Sequence, residues 1–183
     1  MRVVVLGGAG FVGSHCVDEL VLKTADVLVV DNLSTGLRSS INQSACFSLL
    51  DVCEPELHNA VSDWGRPDAM VVLAAQTSVA HSCTEPLEDA RTNILGLINA
   101  VELSLKLSVP YILFSSSAAV YGEPERLPVG EMHAIDPRSP YAVSKFAGEL
   151  YLKTLAQSAG VTTCIMRFSN VYGPRQRSDG EAG

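Results

Sequence analysis

Tyr141 and Lys145 stand four residues apart in the stretch YAVSK, which in a helix brings both side chains to one face, a turn apart. A phenol with a pKa of ~10 is a poor base at neutral pH. A neighbouring ammonium and a second cation in the same cleft favour the phenolate. Lowering its pKa to ~7 takes about 4 kcal/mol of differential stabilisation, within reach where water is scarce. A hydroxyl that donates to a substrate oxygen and relays its proton to the phenolate would complete such a site. Candidates follow the apolar run at 111–114, in SSSAAVYG, Ser115 to Gly122. Strand alternation puts Ser115 and Ser117 on one face with Ser116 on the other, without choosing between the first two. A nucleophilic serine would want a G-x-S-x-G elbow and a positioned histidine, and the sequence has neither.

A second cluster reads as a phosphate site. VVVLGGAGFVGSH sets Gly7, Gly10 and Gly13 in GxxGxxG spacing, directly after an apolar run and at the start of a helical pattern. Such glycines permit a tight turn, close approach of backbone to a pyrophosphate, and close packing of helix on strand. Asp31 ends VLVVD, 18 residues beyond Gly13, where a carboxylate can accept both hydroxyls of an adenosine ribose. It would repel a 2′-phosphate, and NLSTGL separates it from the next arginine, Arg38. That favours NAD over NADP. Asp51-Val52, closing FSLLDV, would lie beside the adenine. Ala74 and Ala75, in VVLAAQTSV, are small enough to let a cofactor run flat along a sheet edge.

The elements that must hold these groups alternate. Strands are expected at 2–6, 27–30, 46–50, 69–73, 111–114 and 163–167, several of them continuous apolar runs of the kind parallel strands show when buried on both faces. Helical spacing appears over 11–23 (Val12, Cys16, Val17, Leu20), 87–107 (Ile94, Leu97, Ile98, Val101, Leu105) and 141–159, with Gly160 where a C-cap glycine would stand. The alternation predicts an α/β fold of Rossmann type, a doubly wound parallel sheet with right-handed crossovers. Ligands of such sheets bind outside the carboxyl ends of the strands, which is where Asp31, Asp51, Ala74 and the serines fall. The polar, turn-rich FSNVYGPRQRSDGEAG stops abruptly. It predicts a dinucleotide-binding domain over 1–170 and, over 171–183, the start of a substrate region that is largely missing.

Composition removes several other classes. The 183 residues are 47% hydrophobic and 18% charged, with a net charge of −7, as in a globular chain long enough to bury a core without staples. Lys and Arg are scattered singly, which argues against nucleic acid. The five cysteines include no CxxC pair and read as reduced thiols, and the dispersed histidines give no metal site. No apolar run approaches the ~20 residues of a membrane span. A cytoplasmic location is expected.

GGAGFVGSH, DNLSTG, FSSSAAVYG, YAVSK and RFSNVYGP, in this order along nearly the whole chain, resemble the extended short-chain dehydrogenase/reductase family, most closely its nucleotide-sugar epimerases of the UDP-glucose 4-epimerase type. The resemblance implies NAD as cofactor. Gly7, Gly10, Phe11, Val12 and Gly13 would hold the pyrophosphate, Asp31 and Asn32 the ribose, Asp51 and Val52 the adenine. Ala74, Ala75 and Gln76 would line the nicotinamide side, with Asn93 near the site. It makes Ser117 the catalytic serine, Tyr141 the base, Lys145 the lysine that binds the ribose and lowers the tyrosine pKa, and Asn170 a contact to the phosphate of the nucleotide sugar. A UDP-sugar substrate and a homodimer through a four-helix bundle of helices 87–107 and 141–159 follow from the same likeness.

The reaction implied is transient oxidation at C4 of the sugar and return of the hydride to the other face. Relatives that dehydrate the sugar carry an extra acid/base pair just after the catalytic hydroxyl residue, and decarboxylating relatives carry a carboxylate there. Ala118 and Ala119 have no proton to give. An epimerase for another sugar, a uronate 4-epimerase and a simple reductase stay open, as does an NAD-binding module without catalysis. The truncated chain is expected to bind NAD and turn over poorly.

Overall fold

Six parallel strands make one sheet in the order β3-β2-β1-β4-β5-β6: β1 (Arg2–Leu6), β2 (Asp26–Asp31), β3 (Cys46–Leu49), β4 (Ala69–Val72), β5 (Tyr111–Ser117) and β6 (Thr162–Phe168). The computed structural model describes residues 1–177. The strand order reverses between β1 and β4, so the crevice of a doubly wound sheet opens there. The alternating sides of the strands feed two apolar layers. Val3, Val5, Val27, Val29 and Val71 face α1 (Phe11–Leu22) through Val17. Val4, Leu6, Met70, Ile112 and Phe114 face α2 (Glu56–Trp64) and α5 (Gly96–Lys106). Burial on both sides is why these strands are continuously apolar.

The expected elements are present, with instructive differences. β5 runs to Ser117, three residues beyond the apolar run, because β6 stays paired to its end (Ser115 with Met166, Ser116 with Arg167, Ser117 with Phe168). β4 pairs only as far as Phe114, so the serines overhang the crevice as a ledge. The expected helix 87–107 divides into α4 (Pro86–Ala90), a π-helical turn (Arg91–Leu95) and α5, with α3 (Val79–Thr84) ahead of them. The last long helix, α6 (Pro140–Tyr151), starts at a proline in the first turn, with the Ser139 hydroxyl accepting from the Ala142 N–H. It continues through a π turn (Leu152–Ala156) and a 3-10 turn (Gln157–Ala159) to Gly160, at φ +81°.

Of the expected substrate region, residues 171–177 fold back toward α1: Arg175 donates to Asp18, and the His15 ring bonds the Pro174 carbonyl. Residues 178–183 lie outside those described.

Candidate active site

The glycine-rich turn separates glycines the fold needs from one it does not. Gly7 sits at φ +84°, and a Cβ there would lie 2.5 Å from the Ala74 nitrogen. A Cβ on Gly13 would collide with the Gly7 carbonyl oxygen. At Gly10 a Cβ would meet only the Gly7 oxygen, at 3.4 Å, and otherwise open space. Gly10 is the N-cap of α1 but offers no side-chain cap, and the first turn of α1 carries no acid. The N–H groups of Phe11, Val12 and Gly13 therefore stand at a positive helix end suited to an anion. Gly13→Ala is expected to lower stability by roughly 1–3 kcal/mol through overpacking and to lose NAD binding with it. Gly10→Ala is expected to melt like the unsubstituted protein yet bind NAD at least tenfold more weakly. Calorimetric titration beside thermal melts separates the two.

Asp31 ends β2 with its carboxylate braced: one oxygen accepts the Ala9 N–H at 2.9 Å and the other the Leu33 N–H at 2.8 Å. Each oxygen keeps a lone pair for a ribose hydroxyl. Asn32 donates to Asp51 at 3.1 Å, and Asp51 also accepts the Cys53 N–H and pairs with Arg91 at 3.6 Å. Burial works to raise the Asp51 pKa, but these partners outweigh it and hold the carboxyl below its ordinary range. Burial first, and Asp51 next, push the Cys53 thiol up to about 12, so it is an inert thiol. The Val52 side chain is buried core, packed where a Cβ on Gly96 would otherwise lie.

Ala74 is fixed by its N–H to the Leu6 carbonyl. Gln76 and Asn93 bind each other. The Gln76 N–H donates to Asn93 Oδ1 at 2.9 Å, and Asn93 Nδ2 donates to the Gln76 carbonyl, Asp89 Oδ1 and Ser144 Oγ at 3.0, 3.0 and 3.1 Å. Gln76 Nε2 donates to Asp89 and to the Ser78 carbonyl. Both side chains are thus engaged in shaping the wall 74–76, and Asn93 reaches it from the π turn.

The ledge distributes its serines among three tasks. Ser115 Oγ donates to the Val72 carbonyl, and Ser116 Oγ donates to Glu149 on the opposite face. Ser117 Oγ accepts the Ala119 N–H at 3.1 Å, and no acceptor for its own proton is recorded among the described residues. Lys145, 2% exposed, donates from Nζ to the Ser115 carbonyl at 2.8 Å. Its Nζ lies 5.9 Å from the centre of the Tyr141 ring. Burial lowers its pKa from 10.5 to about 8, against the opposing pull of Asp89. Tyr141 is half-buried at the start of α6, its N–H donated to Ser82 Oγ and its carbonyl accepting from Ser144 Oγ. Asn170 is exposed, two residues past β6. Sequence reading did not reach Ser82, Ser144, Glu149 or Arg167, whose partners lie far along the chain or hold no motif; Ser82 meets Tyr141 across 59 positions.

Residues 3–183 match the model of the NAD dependent epimerase/dehydratase family. The chain belongs to this family. Among curated proteins it is 36% identical over 183 residues to the UDP-glucose 4-epimerase of Lactobacillus helveticus, covering all of this chain and 55% of that one. Two solved structures superpose with a TM-score of 0.95: the Thermotoga maritima UDP-glucose 4-epimerase with UDP-glucose, at 42% identity, and the Thermus thermophilus UDP-glucose 4-epimerase complex with NAD, at 41%. Each covers the whole of this chain, which spans 60% and 59% of theirs.

NAD is the cofactor of the family, and this epimerase/dehydratase chain has the features to hold it. The α1 end is uncapped beside a glycine that the fold itself does not require. A braced carboxylate ends β2, and small residues follow β4 at the crevice. Lys145 is bonded to the Ser115 carbonyl, two residues before Ser117 closes β5.

Proposed function

We propose that the chain carries the cofactor-binding and proton-transfer part of a nucleotide-sugar 4-epimerase that interconverts UDP-glucose and UDP-galactose. The observation that carries this reading is the ledge of β5. It presents Ser117, whose hydroxyl proton meets no acceptor among the described residues, and, through the Ser115 carbonyl, ties down a buried lysine one turn from Tyr141. NAD, when bound, supplies the acceptor that takes hydride from C4 of the sugar and gives it back. Gly7, Gly10, Phe11, Val12 and Gly13 hold its pyrophosphate, Asp31 and Asn32 its ribose, Asp51 and Val52 its adenine, and Ala74 to Gln76 its nicotinamide side. Tyr141 Oη, as phenolate, takes the proton of the sugar 4-hydroxyl with Ser117 Oγ bridging, and returns it to O4 after the sugar has turned over. The Lys145 ammonium favours the phenolate. Asn170 meets a phosphate of the sugar nucleotide.

Ala118 and Ala119 occupy the 3-10 turn that follows Ser117. Alanine at both positions leaves elimination of water no acid or base directly after Ser117, which supports epimerisation over dehydration. The 183 residues span about 60% of the length of the related epimerases, which supports a chain that by itself binds NAD and turns over slowly at most. Exposed Leu87, Leu95, Val143, Leu150 and Tyr151 lie on α4, the π turn and α6, elements that pack side by side, and support a second copy docked there as a four-helix bundle. A cytoplasmic location accords with this chemistry. The test is product analysis of UDP-glucose, UDP-galactose, their N-acetyl forms and UDP-glucuronate, using the protein carried to its natural C-terminus and loaded with NAD. Interconversion of the first two is expected. A dehydrated product, or conversion only of the uronate, would overturn the reading.

A further inference from the structure

Glu149 is a buried carboxylate with no place in the proton path, and its partners draw together every element that presents a proposed catalytic group. It lies on α6, one turn beyond Lys145 and two beyond Tyr141. Its Oε1 accepts the Ser116 hydroxyl at 2.5 Å and Arg167 Nε at 2.9 Å, and its Oε2 accepts Arg167 Nη2 at 2.6 Å. Arg167 belongs to β6, three residues before Asn170, and its Nη1 donates at 2.8 Å to the hydroxyl of Tyr121, in the turn that follows Ser117. One forked ion pair thus ties α6, β5, β6 and the turn after β5.

Burying such a pair is a weak source of stability, since desolvation offsets much of the attraction and apolar replacements often do as well. A charged fork has directional demands that an apolar contact lacks. Ser116 and Ser117 point to opposite faces of the strand. A bond that fixes Ser116 from behind therefore orients Ser117 toward the crevice without touching any ligand.

We propose that the Glu149–Arg167 pair, acting through the Ser116 hydroxyl, is a positioning device that sets the Ser117 hydroxyl against Tyr141 at the crevice. It rests on the roles proposed above for Ser117 and Tyr141. Misplacing a reacting group by about 1 Å can cost up to ~100-fold in rate, and loosening only one of the three links to Glu149 is expected to cost about tenfold.

Ser116→Ala removes that link and leaves the ion pair intact, and Ser116→Thr restores a hydroxyl in a residue type that strands accept. In the NAD-loaded protein carried to its natural C-terminus, S116A is expected to lower kcat about tenfold with KM for UDP-galactose, Kd for NAD and Tm little changed, and S116T to recover most of the loss. Wild-type kcat in S116A would overturn the proposal. So would a loss shared by KM, Kd and Tm, or one that S116T leaves unrepaired, because a merely structural bond behaves that way. If the unsubstituted protein converts no UDP-hexose, the functional reading fails on its own, and hydrogen exchange decides the positioning claim. S116A must then speed exchange at Ser117 and Phe168 while β1 and β4 stay protected; unchanged exchange there overturns it.

Discussion

Tyr141→Phe is expected to abolish turnover while leaving NAD bound. The variant removes one oxygen from a half-buried ring and leaves the anchors of the residue in place, since its N–H to Ser82 and its carbonyl to Ser144 are main-chain groups. The main chain therefore has little reason to respond. The chemistry does, because no other proposed group can take the proton of the 4-hydroxyl: Ser117 relays but does not hold it. Loss of a general base typically costs ~10²–10⁴-fold, and with no alternative base the fall in kcat belongs at the upper end. The NAD-loaded protein carried to its natural C-terminus is the one to assay, by kcat for UDP-galactose beside the Kd for NAD. Retained turnover would sink the mechanism. A difference spectrum adds an independent reading: near neutral pH, tyrosinate absorbance present in the NAD-loaded wild type should be missing from the variant.

Lys145→Met should separate stability from function through its pH dependence. Burial lowers the Lys145 pKa from 10.5 to about 8. Between those two values the unfolded chain holds a proton that the folded chain has released, so stability rises with pH across that window. The full contribution is present above 10.5 and is lost as pH falls through about 8. The rise amounts to about 3 kcal/mol, taking ~1.4 kcal/mol for each unit. Methionine carries no proton, and its curve should lack the rise. At neutral pH the variant is expected to melt no lower than wild type, because relief from burying an ammonium offsets loss of the donor to the Ser115 carbonyl. Turnover should fall by at least ~10²-fold as the phenolate loses its cation. Denaturant unfolding of the NAD-free proteins at a series of pH values reads the first effect. Parallel curves for the two proteins would refute the buried-ammonium account.

Much of this architecture was legible because its causes are local. Apolar runs that need cover on both faces, a glycine triplet between strand and helix, and Gly160 at φ +81° are each demanded by neighbours in sequence. Boundaries were less legible where pairing decides them. Nothing in SSS distinguishes the end of a strand from its continuation, and β5 reaches Ser117 because β6 pairs with it there. The π turns escaped for a similar reason: apolar spacing alone does not reveal a single widened turn, yet that turn carries Asn93.

The site divides along the same line. The proposed dinucleotide site and phenolate base rest on the identity and order of Gly7, Gly10, Gly13, Asp31, Tyr141 and Lys145, which the chain shows by itself, since a pyrophosphate needs bare backbone and a tyrosine base needs a cation one turn away. Ser115 and Ser117 look alike in the chain, sharing a face and a chemistry. Folding separates them: the Val72 carbonyl takes the proton of the first, while the second meets no acceptor among the described residues. Likewise Glu149 and Arg167 are ordinary charges until α6 and β6 bring them together beneath the ledge. Contacts between distant segments carry no local signature, because each depends on where the rest of the chain has packed.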